Sequence, residues 1–476
     1  MEKKNTPIKA AIWSILERAS TQLVGLCIGI VLARLLTPHD YGIVGMASIF
    51  LTLSGIFVDS GFGNALIRKP DKTEDDLSTA FVFNLIVGIV AYSLLFLCAP
   101  LIASFFNEPQ LIWLIRVIGI MIILNSLCLV QIAILTAKLN IRIQTLINLC
   151  SQIPAGFIAI LLAYYGAGIY ALALQQIIAG IIKVFALWHF AGWKINFGFS
   201  KKSFKYLWGF GSKLTGATLI GVVFSESYSL IIGKFIGTNQ LGYYSKASHL
   251  NSNFNSVGVG VIQKIALPIL SKNQHNKILL TANFREVMRI LVLIISPLSA
   301  FLFFYSKDII TIIWGIKWID SAVIFQLLII GGLFVPVSTL SLILLQVVNK
   351  TGLILKLEFP KKFLYVIIIF IGFQYGLIGL CYAQIFINIL ASIINMWFTR
   401  SILNYSYFSQ MLDIIKYIFL AFVAVLPVYI LFNFNILLIN IITGFFAIML
   451  LYALLLYVTK DSVYLKYISK VRMLVK

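Results

Sequence analysis

An all-α integral membrane protein is predicted by three observations: long apolar runs, few charges, and basic residues gathered in the short segments between the runs. Hydrophobic residues make up 61% of the chain and charged residues 11%, against about 25% charged in soluble domains. The net charge of +21 does not make a nucleic-acid binder, because no basic domain stands apart from the apolar runs. The cysteines (Cys27, Cys98, Cys128, Cys150 and Cys381) are scattered through apolar runs without a Cys-x-x-Cys pair, and read as small buried hydrophobes.

A membrane-spanning helix needs about 20 apolar residues. Fourteen such stretches are predicted, at about 11–33, 41–66, 78–103, 110–135, 143–165, 168–190, 207–233, 241–268, 285–305, 319–348, 358–374, 376–398, 413–432 and 436–458. Basic residues test the layout, since cytoplasmic segments collect them. With the amino terminus inside, the inner segments hold Lys3, Lys4 and Lys9, then Arg68, Lys69 and Lys72, then Lys138 and Arg142. Further along they hold Lys194 to Lys205, Lys272 and Lys277, Lys350 and Lys356, Arg400, and the basic tail from Lys460. The outer segments hold only Arg34, Lys234, Lys307 and Lys317. One missed span would scramble this alternation, so both termini are expected in the cytoplasm.

A basic linker near 191–206 separates two sets of six spans, which gives an amino-terminal lobe over 1–195 and a second over 196–400. The remaining 401–476 make an appended helix pair with a basic tail. An even number of spans starts both lobes on the inside, so the repeat is parallel. A faint match at an offset of two hundred residues supports it: Arg34 with Lys234, Gly42 with Gly242, and Ala47–Ser48 with Ala247–Ser248.

Ionisable residues inside spans are costly and mark a pathway by default. The basic candidates are Arg18, Arg116, Lys183, Lys213, Lys246, Lys264 and Arg289; the acidic ones are Glu17, Asp59 and Glu226. Arg116 and Arg289 lie near span ends, where snorkelling to the interface competes with function. A surplus of cations suits an anionic headgroup, phosphate above all, because Arg and Lys bind phosphate oxygens well. Asp59, Glu226 and Glu17 are candidates for charge pairing or for coupling to Na⁺ or H⁺. On the eighth span Lys246, His249, Asn253, Ser256, Gly260 and Lys264 recur at helical spacing. His249, Asn251, Asn253 and Ser256 are therefore the candidate sugar contacts. No phosphate-binding loop, HExxH pair or nucleophile elbow occurs, so neither an ATP-driven pump in one chain nor an enzyme is expected, and no cofactor beyond a coupling ion. Short outer loops argue against a membrane polymerase or ligase, and the cation surplus argues against an exporter of organic cations.

The segments RLLTPHDYGIVGMASIF, DSGFGNALIRKPDKTEDDLSTAFVFNL and KFIGTNQLGYYSKASHL resemble the Wzx-type oligosaccharide flippases, the polysaccharide-transporter group of the MATE-containing MOP superfamily. The likeness covers nearly the whole chain and is nearest the colanic-acid-exporter type. It implies two six-helix lobes facing each other in a V, with two extra helices. It also implies translocation of undecaprenyl-pyrophosphate-linked repeat units across the bacterial inner membrane by a monomer working beside a polymerase and chain-length proteins. One departure stands out. Relatives often carry an Asp just before an LLIGK-like string, whereas this chain reads SESYSLIIGK with Glu226 slightly earlier.

Overall fold

A computed structural model describes residues 7–69, 71–193, 195, 197–431 and 436–475. Side chains are described at these positions except 7–12, 14–15, 18–19, 257, 261, 264–265, 351, 354–355 and 470–475. The described residues are helical and contain no strand. In hydrocarbon this follows from the need to satisfy every backbone N–H and C=O within its own segment.

The helices are α1 (Pro7–Leu35), α2 (Pro38–Asp59), α3 (Phe62–Arg68), α4 (Glu74–Phe106), α5 (Gln110–Ile118), α6 (Ile120–Ala137), α7 (Ile141–Tyr164) and α8 (Ile169–Ala191). There follow α9 (Lys201–Ile231), which runs into a π-helical turn at Ile232–Ile236, then α10 (Thr238–Lys272), α11 (Lys277–Phe304), α12 (Ser306–Trp314), α13 (Asp320–Gly332) and α14 (Phe334–Val347). The last are α15 (Thr351–Phe373), α16 (Gly376–Ile402), α17 (Tyr407–Leu431), α18 (Leu437–Val458) and α19 (Ser462–Val475).

Among the described residues, 11 helical stretches are long and apolar enough to cross a membrane. The pairs α5–α6 and α13–α14 count as single spans, Gln110–Ala137 and Asp320–Val347. The expected spans at 11–33, 241–268 and 358–374 coincide with α1, α10 and α15, helices of 29, 35 and 23 residues. The chain is a multi-pass membrane protein.

By backbone contacts the chain forms two compact units, Met1–Gly242 and Tyr243–Lys476. The sequence boundary at 195/196 follows the repeat, while this one follows packing: α9 lies against α2, α3 and α4 and so groups with the first unit.

Within the first unit, segments expected on one side of the membrane meet one another. Between segments expected on the inner side, Lys69 pairs with Asp76 at 2.6 Å and lies over the Tyr206 ring, and Arg68 lies over Phe210. Trp193 Nε1 donates to Glu74, and Ser200 N donates to Thr79 Oγ1. Between segments expected on the outer side, His39 lies 3.4 Å from Glu108, Thr238 Oγ1 donates to Glu108, and Lys234 donates to the Phe105 carbonyl.

The repeat-matched glycines make a reciprocal crossing in this unit. A Cβ at Gly42 would stand 2.0 Å from the Thr238 carbonyl oxygen, and one at Gly242 would stand 1.9 Å from the Pro38 carbonyl oxygen. Each helix start thus rests its backbone in the notch of the other, a fit open only to glycine. Thr37 and Asp40 close a capping box at the start of α2, which fixes that end. At the other end of α2, Gly61 (φ +67) meets Gly211 of α9, with a Cβ of Gly211 only 2.3 Å from the Ser60 carbonyl oxygen.

The second unit is tied by ion pairs among α11, α17 and α19. Arg285 Nε donates to Asp413 at 2.7 Å, Tyr405 Oη donates to the same carboxylate at 2.5 Å, and Lys466 donates to Glu286 at 2.6 Å. Lys416 and Tyr417 donate to Asp461, which also accepts from the Val463 and Tyr464 amides and so caps α19. Burial alone would raise the Asp461 carboxyl, but Lys416 and the Tyr464 amide hold it below the usual carboxylate range. Its apolar core gathers α10, α11, α14 and α17 around Phe284, Met288, Leu344 and Tyr417.

Candidate functional site

The α10 helix was expected to present one polar face. It presents two. Lys246, near the start of α10, lies over the rings of Trp314 (5.3 Å) and Trp318 (5.8 Å), both buried. An ammonium against two indole faces is held by the ring quadrupoles, so Lys246 has partners within the unit. Below it His249 is exposed, Asn253 Nδ2 lies 3.3 Å from His249 Nδ1, and Ser256 Oγ donates to the Asn253 carbonyl. These three lie along one stripe of α10, His249 exposed and the other two half-buried.

Asn251 turns the other way. It is 8% exposed, accepts from Asn255 Nδ2 at 3.3 Å, and lies where a Cβ on Gly332 would come within 2.6 Å of its Oδ1. The expectation for Asn251 as a sugar contact is corrected here to a packing role against α13. The reason is angular: Asn251 and Asn255 share a stripe with Gly258 and Ile262, rotated away from the stripe of His249 and Asn253.

The remaining sequence candidates fall in different settings. Lys213 is exposed on α9, and Lys183 on α8 is half-buried, with its charge felt at buried Cys128 of α6. Arg116 stacks on Phe96 (4.4 Å) and Trp113 (5.4 Å) near the end of α5. Arg289 pairs with Asp413 at 3.2 Å, and its Nη1 donates to Ser462 Oγ. Both guanidiniums thus have partners within their own units. Glu17 accepts from Asn148 Nδ2 at 2.9 Å, while Asp59 is exposed at the end of α2 and Glu226 half-buried on α9. Arg18 and Lys264 lie on α1 and α10, and their side chains fall outside the described ones.

Two features were missed by the sequence reading. The first is a cavity of about 210 Å³ between α14, α15 and α16, lined by Ser338, Glu358, Lys361, Lys362, Asn388 and Asn395 among apolar residues. Lys361 is only 10% exposed and pairs with Glu358 at 2.9 Å, and Lys362 lies 5.6 Å from the centre of the Tyr365 ring. Asn395 is fully buried and its Nδ2 donates to Ser338 Oγ at 2.7 Å. The expected span at 358–374 contained Lys361 and Lys362 without singling them out; α15 begins at Thr351. The signal available in sequence was the proline-broken LEFPKK inside an apolar run. The second feature is an apolar groove of about 470 Å³ between α10 and α11, with Glu286, Lys466 and Tyr467 among its lining residues. It was invisible in sequence because its walls are ordinary span residues.

The fold defines the class. The chain superposes on the inward closed conformation of the lipid II flippase MurJ with a TM-score of 0.74, covering 96% of this chain and 99% of that one at 15% identity. The family described as "Polysaccharide biosynthesis protein" matches residues 31–323, and the chain belongs to that family. It is 25% identical over 365 residues to the teichuronic acid biosynthesis protein TuaB of Bacillus subtilis, covering 76% of this chain and 75% of TuaB. It is 24% identical over 422 residues to the lipopolysaccharide biosynthesis protein WzxC of Escherichia coli, covering 87% of this chain and 85% of WzxC. The resemblance to the Wzx-type transporters of the MOP superfamily therefore stands.

Proposed function

We propose that this protein is a flippase that carries undecaprenyl-pyrophosphate-linked oligosaccharide units across the bacterial inner membrane by alternating access, for assembly of a surface polysaccharide. The observation that carries the reading is a surplus of cations within span helices of a polysaccharide-biosynthesis family member, including Lys183, Lys213, Lys361 and Lys362. Such a surplus attracts an anionic headgroup and repels organic cations. Fourteen spans in two lobes, 1–195 and 196–400, with a terminal pair and both termini in the cytoplasm, complete the proposal. It is supported by the length of α1, α10 and α15, by the Gly42–Gly242 crossing, and by the side-by-side meeting of segments expected on one face. In this scheme the pyrophosphate meets Arg18, Lys183, Lys213 and Lys264, and His249, Asn253 and Ser256 offer hydrogen bonds to sugars. The isoprenoid stays in the bilayer, where the α10–α11 groove offers an apolar wall. Asp59 or Glu226 couples the step to H⁺ or Na⁺. A polysaccharide polymerase is the expected consumer of the product.

The test is a proteoliposome assay with fluorescent undecaprenyl-pyrophosphate oligosaccharide, read by its accessibility to a membrane-impermeant lectin or quencher. Wild-type protein should equilibrate the lipid between leaflets, and the Lys213→Gln/Lys264→Gln variant should slow it at least tenfold. An unchanged rate in that variant would sink the phosphate-binding scheme. Transport of organic cations in the same vesicles, with none of the lipid, would sink the flippase reading as a whole.

A further inference from the structure

We propose that the α10–α11 groove binds an anionic phospholipid, with one acyl chain between the helices and the phosphate headgroup at the basic segment that begins α19. The site is argued from its own groups and does not rest on the flippase reading.

The walls come first. Phe254 and Ile262 of α10 and Ile290, Ile294 and Leu298 of α11 line a groove of about 470 Å³. Its polar lining residues gather at one end, where the start of α11 brings Asn283 and Glu286 and α19 brings Lys466 and Tyr467. From Glu286 to Leu298 the lining follows one stripe of α11 for about 18 Å at ~1.5 Å per residue. One leaflet of a hydrocarbon core about 30 Å thick offers about 15 Å. A slot of that length, apolar along its walls and polar at one end, suits a single acyl chain beneath its headgroup. An isoprenoid of the cargo's length would overrun it.

Charge selects the headgroup. Lys460, Lys466, Lys470, Arg472 and Lys476 follow the last apolar stretch, and Asp461 is the one acid among them. Lys466 pairs with Glu286, and Lys416 of α17 pairs with Asp461. Both pairs are neutral, so the segment keeps a basic surplus by composition. A cluster of about 4–8 Lys and Arg immediately past a span is the pattern that attracts anionic lipid; a zwitterionic headgroup, with no net charge, gains little from it. Tyr467, at the same end of the groove, is of the type that collects at headgroup level.

Placement joins the two. α18 is apolar and long enough to cross the membrane, and α19 starts just past its end. Asp461 accepts from the Val463 and Tyr464 amides and from Tyr417, which fixes the start of α19 beside the groove. A lipid held there would tie α19 to α10 and α11.

Full-length protein, purified in detergent and stripped of lipid, tests this by native mass spectrometry. The probes are phosphatidylglycerol and phosphatidylcholine with identical chains, and undecaprenyl phosphate. Phosphatidylglycerol should bind at least tenfold more tightly than phosphatidylcholine, and more tightly than undecaprenyl phosphate. Replacing Lys470, Arg472 and Lys476 together by Gln should bring the two phospholipids within about twofold of each other. Ile294→Trp, at an exposed position on the groove wall, should weaken phosphatidylglycerol at least tenfold. Leu267→Trp, also exposed but outside the groove lining, should leave binding unchanged. Thermal unfolding gives a second reading: phosphatidylglycerol should raise the melting temperature of the wild type and not that of Ile294→Trp. Equal binding of the two phospholipids, or phosphatidylglycerol binding indifferent to Ile294→Trp, would overturn the proposal. Tighter binding of undecaprenyl phosphate would also overturn it and give the groove to the tail of the cargo.

Discussion

Replacing Gly42 by alanine puts a methyl carbon 2.0 Å from the Thr238 carbonyl oxygen, 2.8 Å from the Thr238 carbonyl carbon and 2.9 Å from Thr238 Cγ2. A comfortable carbon–oxygen approach is about 3.3 Å, so the two helix starts must part by roughly 1.3 Å. Two of the three obstructing atoms are backbone and cannot rotate aside. Overpacking of this kind costs about 1–3 kcal/mol, and the upper end, about 3, applies where no side chain can yield. At about 2–4 °C per kcal/mol for a unit of this size, the melting temperature should fall by roughly 6–12 °C. Gly242→Ala meets the Pro38 carbonyl oxygen at 1.9 Å and should cost about as much. Because one opening of the crossing relieves both clashes, the double variant should lose clearly less than the sum. Gly55→Ala is the control: it sits in the same helix with nothing within 4 Å of its new methyl, and should change stability by less than about 1 kcal/mol. Thermal unfolding of detergent-purified protein, followed by intrinsic fluorescence or by aggregation onset, reads all four. If Gly42→Ala melted with Gly55→Ala, or if the two costs simply added, the reciprocal crossing would not be the contact described.

Three further outcomes follow from the second unit. Asp413→Ala strands Arg285 and Arg289 together and should cost near the low end of the about 3–5 kcal/mol for breaking a buried pair, since Arg285 is half exposed; a change below 1 kcal/mol would mean the clamp carries no stability. Asp461 has a lowered carboxyl pKa, so its contribution is present above the unfolded value, about 3.9, and is lost as pH falls through the lower folded value. A melting-temperature profile taken between neutral pH and pH 3 should steepen at its acid end in wild type, and Asp461→Asn should be less stable at neutral pH with a flatter acid limb. Trp314→Leu removes one of the two rings beside Lys246 and should cost about 0.5–2 kcal/mol beyond the loss of packing, measured as the coupling in a double-mutant cycle with Lys246→Met; zero coupling would deny the cation–π contact.

The membrane class and the spacing of the helices were legible in the sequence because each follows from local quantities: run length and apolar content. Eleven of the expected spans recur as apolar helices, and the segments assigned to one face meet each other in each unit. The repeat was legible only as a faint match at Gly42 and Gly242, and the physical reason for those glycines, a backbone resting on each of them, required the tertiary structure. Rotation about a helix axis was beyond the sequence as well. A polar residue at helical spacing can face a cavity or a neighbour, and only packing told Asn251 and Lys246, each engaged within the unit, from His249 and Asn253. The same holds in reverse for Lys361 and Lys362. The sequence reading did not single them out; the closure of α14 and α16 beside α15 puts the pair on the wall of a cavity. Composition decided that this chain lives in the membrane; side-chain direction, which no single stretch of sequence encodes, decided which neighbours its charges meet within each unit.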